Sequence, residues 1–186
     1  MRRVLTALLA TLALATSSGC LVISLQPAYE DDWLAWDPDL LGAWRDADDN
    51  ASMRIDAAEW RSYRVHYEHP SEKGDVSGFL TIVGDEHYLD LMPARGADRG
   101  SFLLPAHVIL RVGLNGDQLA LTPLSYDSFA DRLRARRALP GALSTVFDQK
   151  QNALIVAPTA RLRAWLRAQP RDAAVWGAPV TFTRMK

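Results

Sequence analysis

The sequence predicts a β-dominated α+β fold: a curved antiparallel meander followed by two C-terminal helices. Three observations carry this expectation. From Gly42 to Pro123 apolar and polar residues alternate with a period of two, the pattern of half-buried strands. Turn-forming residues separate these runs at intervals too short for crossover helices, so successive strands must be antiparallel. After Ser125 the apolar period lengthens to that of a helix.

The meander is read element by element. Asp37-Pro38-Asp39-Leu40-Leu41-Gly42 has the form of one helical turn, with Asp37 as N-cap, Pro38 at the first position and Gly42 as the stop. Strands follow at Ser52 to Ala57, Ser62 to His69, Val76 to Val83, His87 to Met92, His107 to Leu114 and Gln118 to Pro123. Their separators are Asp48-Asp49-Asn50, Pro70 to Gly74, Gly84-Asp85-Glu86 and Asn115-Gly116-Asp117. Asn115-Gly116 is the strongest hairpin signal, because both residues tolerate the positive φ of a tight turn.

The C-terminal third changes character. Tyr126, Phe129, Ala130 and Leu133 fall at i, i+3, i+4 and i+7 after a Ser125 cap, predicting a helix to about Arg137. Phe147 to Val156 reads as a returning strand. Thr159 is expected to cap a second helix, with Leu162, Trp165 and Leu166 on one face and a stop before Pro170. Val180 to Met185 alternates again as a last strand, and the sheet is expected to curl around one or both helices.

A chain of 186 residues, 48% of them hydrophobic and six of them Trp, can bury the core of a single domain. The N-terminus reads as a targeting segment. Met1-Arg2-Arg3 is a positive n-region, and Val4 to Ala15 is an apolar and small-residue run interrupted only by Thr. As a helix that run spans about 18 Å, against the roughly 30 Å of a bilayer core, so it predicts a cleavable signal and not an anchor helix. Ser17-Ser18-Gly19-Cys20 then places small residues immediately before the only Cys of the chain.

That arrangement resembles the lipobox of bacterial lipoproteins, although Ser17 stands where the pattern prefers an aliphatic residue. The resemblance implies cleavage before Cys20, a diacylglyceryl group on its thiol and acylation, as with palmitate, of the new amine. Residues 1–19 are then signal peptide, 20–36 the lipidated N-terminus and tether, and 37–186 a single β-rich domain. Leu21 follows the Cys, where an Asp would resemble an inner-membrane retention signal, so the expected location is the outer membrane, facing the periplasm. The tether carries Tyr29, Trp33 and Trp36. These are expected to pack on the domain as an added strand or strap, or alternatively to enter the bilayer interface.

Leu41-Gly42-Ala43-Trp44, after a helical turn and opening a meander, resembles the Gly-x-Trp start of lipocalins and related calycin barrels. The stretch from Gln26-Pro27 through Trp44, with Leu104-Pro105-Ala106-His107 and Leu119 to Pro123, also resembles small, functionally uncharacterised bacterial lipoproteins. The first likeness implies an open or partly closed lipocalin-like barrel whose last strand pairs beside the first, with Arg184 over Trp44; the alternative is that Arg184 is a solvent-facing charge in the last residues of the sequence. The central Thr-Asp-Tyr motif of lipocalins is absent, and two C-terminal helices exceed their usual one.

No catalytic residue, cofactor or metal site is assigned. His66 and His69 stand at an odd offset, which puts them on opposite faces of a strand. No Ser lies in Gly-x-Ser-x-Gly. Gly96 to Gly100 lacks the Lys-Ser/Thr pair of a phosphate loop. Asp46-Ala47-Asp48-Asp49-Asn50 begins like a calcium loop, but Ala51 and Ala57 stand where a turn Gly and a closing Glu are needed.

Charge is unevenly distributed. Cleavage would remove Arg2 and Arg3, taking 21 basic side chains to 19 against 22 acidic ones, a net of −3 and no sign of a nucleic-acid binder. Residues 21–60 hold ten acids and two bases, whereas residues 125–171 hold nine bases and three acids. The basic segment allows contact with a protein or an anionic envelope surface. The expected function is therefore that of a non-catalytic binding or interaction protein attached to the membrane through Cys20. The alternative is a carrier holding a small apolar ligand or lipid inside the curved sheet.

Overall fold

The structure, a computed structural model, describes residues 21–46, 48–94 and 105–186. The described residues open with two short strands, β1 (Val22–Ser24) and β2 (Leu34–Ala35). A 3₁₀ turn at Pro38–Leu40 follows, capped by the Asp37 carboxylate accepting from the Asp39 N–H at 2.9 Å. The meander comprises β3 (Gly42–Asp46), β4 (Ala51–Ala57), β5 (Ser62–His69), β6 (Glu72–Val83), β7 (Glu86–Pro93), β8 (Val108–Asn115) and β9 (Gln118–Pro123). Helix α1 (Tyr126–Arg134), strands β10 (Thr145–Phe147) and β11 (Ala153–Ile155), helix α2 (Thr159–Arg167) and strand β12 (Val180–Arg184) complete the chain.

Strands β3 to β9 each pair antiparallel with the next, and β12 lies between β9 and β3. The result is a closed, eight-stranded, up-and-down barrel. Closure removes the exposed edges of an open sheet. The predicted hairpin turns between Gly116 and Asp117 and uses the positive φ of Gly116, 59°. The turn expected over Pro70 to Gly74 is tighter: β6 pairs with β5 from Glu72 onward, leaving Pro70-Ser71 as the connection. At its other end β6 outruns β5, and β2 takes the vacant partner positions, Leu34 opposite Thr81 and Ala35 opposite Leu80.

The alternating pattern divides the apolar residues into two cores. Trp44, Met53, Ile55, Tyr63, Leu80 and Phe182 belong to the cluster that fills the lumen. Val83, Tyr88 and Ile109 face outward and join Phe129, Leu162, Trp165 and Leu166 of the helices in the other. The expectation that the sheet wraps around the helices is therefore corrected: both helices pack on the outer wall. Eight strands enclose room for side chains or one small ligand, not for a helix, and here Trp44 and Tyr63 occupy it.

Three local readings also change. Helix α1 stops at Arg134, short of Arg137, because Arg136 adopts φ 52° and the N–H groups of Arg136 and Arg137 return to the carbonyls of Leu133 and Arg132. That is a Schellman stop with Arg where Gly is usual. The single strand expected over Phe147 to Val156 is a hairpin. Asp148 accepts from the Lys150 and Asn152 N–H groups at 2.8 and 2.7 Å and bends the chain between β10 and β11. Thr159 is the first residue of α2, not its cap; Pro158 holds the cap position without a side-chain bond.

Residues 21–36 are built into the fold. Strand β1 pairs in parallel with β11, β2 extends β6, and Tyr29 stacks on Phe79 with ring centroids 4.4 Å apart. The segment is a strap across the outer wall, as one of the two readings of its aromatic residues expects.

Candidate functional site

The lumen offers little space. Leu40, Trp44, Ile55, Tyr63, Leu80, Leu89 and Leu119 are fully buried there. A cavity of about 140 Å³ lies near the 3₁₀ turn, lined by Asp37, Leu40, Leu80, His87, Val112 and Leu114. Pockets for small organic ligands are usually about 300–1,000 Å³.

One end of the barrel is sealed by Arg184. Opposite Trp44 in the β3–β12 register, it places its guanidinium 4.1 Å from the centre of that ring. The same group donates to the carbonyls of Leu41 at 2.7 Å and Asp39 at 2.6 Å and meets the Asp117 carboxylate at 3.3 Å. Trp44 Nε1 donates to the Leu40 carbonyl at 3.0 Å. The Gly-x-Trp sequence now has a geometric cause. Gly42 has φ +130°, and a Cβ there would lie 2.9 Å from Arg184 Nη1.

A second polar cluster, missed in the sequence, holds the strap. Ala28 is fully buried, so both of its backbone polar groups need partners. Its N–H donates to Asp90 Oδ2 at 2.6 Å, and its carbonyl accepts from Arg163 Nη1 at 2.6 Å. Asp90 Oδ1 lies 2.7 Å from His107 Nδ1, with Asp90 fully buried and His107 only 5% exposed. Arg163 also donates to Thr81 Oγ1 and the Ile82 carbonyl, and Glu30 approaches it at 4.0 Å. Burial raises the Asp90 pKa above the usual 3.8, opposed by the bonds from His107 and Ala28. Burial lowers that of Arg163, partly offset by Glu30.

Alternation offered one clue to this cluster. Asp90 interrupts the apolar run Tyr88-Leu89-Asp90-Leu91-Met92, and an acid inside a buried strand demands partners. Nothing in the sequence names those partners, which come from the strap, the residue before β8 and α2. Arg163, read as part of a basic surface segment, is buried.

The sequence-flagged residues are dispersed. Cys20, the signal segment, Leu104 and Gly96 to Gly100 lie outside the described residues. His66 Nδ1 meets Asp75 at 2.7 Å, whereas His69 meets Ser71 at 2.7 Å and Asp49 at 3.3 Å. Ala47 of the calcium-like stretch is also outside the description; Asp46 there accepts from the Asp48 N–H at 2.9 Å, as in an ordinary turn. Among the described residues no three His, Cys, Asp or Glu side chains are grouped to hold a metal.

Two surface features remain. On the outer wall of β5, β6 and β7 lies a groove of about 950 Å³, with Tyr29, Phe79, Met92, Trp60, Arg64 and His107 in its lining. At the end sealed by Arg184, large apolar side chains face solvent: Trp60, 87% exposed at the β4–β5 turn, Trp33, 65% exposed, and Trp36, 38% exposed. Trp36 stacks on Tyr63 at 4.7 Å, and Arg61 donates to the Leu34 carbonyl at 3.3 Å, so strap and turn adjoin.

These features define the class: a closed, lipocalin-like, eight-stranded barrel with its helices on the outside and its lumen filled. Compared with protein-family models, curated proteins and solved structures, the chain matches none.

Proposed function

We propose that the chain is a lipid-anchored protein of the bacterial envelope, carried on the outer membrane by Cys20, and that it works by binding another protein and not by catalysis. The observation that carries this reading is the contrast between the barrel's two surfaces. Its lumen is filled with its own side chains, while Trp33, Trp36 and Trp60 stand out at one end. A carrier of apolar ligands inside the sheet needs the opposite arrangement. Trp, with Tyr and Arg, is enriched among the residues that carry most of the binding energy at the centres of protein interfaces.

Acidic residues Glu30, Asp31, Asp32 and Glu59 flank this rim in sequence, which suits a partner with cationic groups and disfavours an anionic membrane surface. The strap supports close attachment. Leu21, next after Cys20, donates to Asn152 Oδ1 at 3.0 Å and accepts from the Ala153 N–H at 2.9 Å. No spacer follows the acylated residue, so the domain would sit directly on the bilayer. Among the described residues no helix is long and apolar enough to cross a membrane.

The test combines labelling with capture. Metabolic labelling with a clickable fatty acid should mark the wild-type protein and leave Cys20→Ser unmarked; equal labelling would set the anchor aside. Affinity purification of the labelled protein from its own envelope, with mass spectrometry of co-purifying proteins and lipids, should yield a protein partner that Trp33→Ala/Trp60→Ala loses. A partner retained by that variant would move the interface elsewhere, with the arginine-rich segment and an anionic surface as the next choice.

A further inference from the structure

We propose that the groove on the outer wall of β5, β6 and β7 is a carbohydrate-binding site in which His107 Nε2 accepts a hydrogen bond from a sugar hydroxyl. The site depends neither on the anchor nor on Trp33, while Trp60 and Glu59 border both the groove and the proposed interface. His107 is almost wholly buried, yet it lines the groove. Its Nδ1 is committed to Asp90, 2.7 Å away. With an ionised Asp90, Nδ1 carries the proton and Nε2 carries the lone pair. Among the described residues no hydrogen bond reaches Nε2, and the His107 ring lines the groove. Asp90 is itself held by the Ala28 N–H, which orients the imidazole before any ligand arrives.

The rest of the groove selects among ligand classes. Tyr29 and Phe79 form a stacked aromatic wall, Tyr29 stands edge-on to His107 at 6.3 Å, and the exposed ring of Trp60 is at the mouth. Glu59 and Arg64 add charge beside these rings. An acyl chain would offer His107 no hydrogen bond and would desolvate Glu59 and Arg64 without giving them partners, which is costly. A peptide strand would find no backbone ladder, because β6 is already paired with both β5 and β7 along the floor. A sugar ring offers an apolar face for the aromatic groups and hydroxyls for His107, Glu59 and Arg64. The groove volume of about 950 Å³ accommodates a short oligosaccharide.

The experiment titrates the purified full-length chain with chitotetraose and maltotetraose, and with laurate and tetra-alanine as competing classes. Binding is read by calorimetry and by Trp fluorescence. At least one oligosaccharide should bind saturably, with a Kd of about 1 mM or tighter. Ser77→Tyr, which fills the groove from an outward-facing strand position, should weaken that binding by at least about 10-fold. His107→Leu should do the same and His107→Gln, which restores an acceptor, should recover most of it. Because His107→Leu also disturbs Asp90, Ser77→Tyr keeps the test independent of the strap. Trp33→Ala, in a separate surface pocket with Ile82 and Arg167, should leave sugar affinity unchanged while affecting partner capture. Failure of both oligosaccharides to saturate by about 10 mM, sugar binding indifferent to Ser77→Tyr, or preference for laurate or the peptide would each overturn the site.

Discussion

Arg184 combines three roles in one side chain: a cation over the Trp44 ring, a donor to two carbonyls of the 3₁₀ turn, and a partner for Asp117. The ring contact contributes roughly 0.5–2 kcal/mol, depending on desolvation. Trp44 does more, because its fully buried indole also fills the lumen. Trp44→Ala should therefore cost on the order of 3–5 kcal/mol and exceed Arg184→Ala several-fold in urea unfolding. Equal losses would mean that the guanidinium, not the ring, holds this end of the barrel. Gly42 belongs to the same unit. Gly42→Ala should destabilise through both its φ of +130° and the displaced guanidinium, and Gly42→Ala combined with Arg184→Ala should lose less than the sum of the two. Additivity in that double-mutant cycle would remove the link between Gly42 and Arg184.

The strap is the element whose attachment depends most on polar groups. Asp90 and Arg163 hold the two backbone polar groups of the buried residue Ala28, and losing either partner leaves one of them unsatisfied, at about 1–3 kcal/mol. The Asp90 pKa is raised by burial, which sets the sign of a pH dependence. An acid with a raised folded-state pKa makes its contribution fully below the unfolded value of 3.8. That contribution is lost as pH rises through the folded value. His107 faces Asp90 directly, and Arg163 lies beyond Ala28. Asp90→Asn should flatten the acidic part of the stability–pH profile while keeping an acceptor for the Ala28 N–H. An unchanged profile would show that His107 fully compensates the buried charge. The groove inherits this link, since Asp90 also aims His107.

At the scale of the whole molecule, an eight-stranded barrel carries a three-stranded sheet and two helices against one side of its wall. Tyr88 lies in the seam, its ring centre 6.0 Å from that of Trp176 and its hydroxyl pKa pushed up to about 12, chiefly by burial. The sign is that of a raised acid again: stability holds below the ordinary 10.0 and falls as pH climbs toward about 12. An alkaline titration should show late tyrosinate absorbance appearing together with unfolding of the seam, and Tyr88→Phe should delay that unfolding. Ionisation of every tyrosine near 10.0 with the fold intact would contradict the burial of this residue.

Much of this was legible along the chain. The period-two runs, the Asn115-Gly116 turn, the Ser125 cap and the apolar stripe of α1 are local, because each depends on residues within a few positions of one another. Barrel closure at Trp44 and Arg184 could be read only through the Gly-x-Trp likeness, since no local pattern relates residues 140 apart. Other features depend wholly on tertiary contact. The alternation that makes a strand two-faced is the same whether its inner face meets a helix or another strand, so the sequence could not put the helices outside. Burial of Arg163 and the Asp90–His107 pair required the strap, β6, β7 and α2 to meet at Ala28. The sequence by itself determined the strands of the meander, the two helices and their order, because propensity and period act between near neighbours. Only the tertiary structure decided which faces meet, and so which polar groups are buried with partners and which open onto a groove.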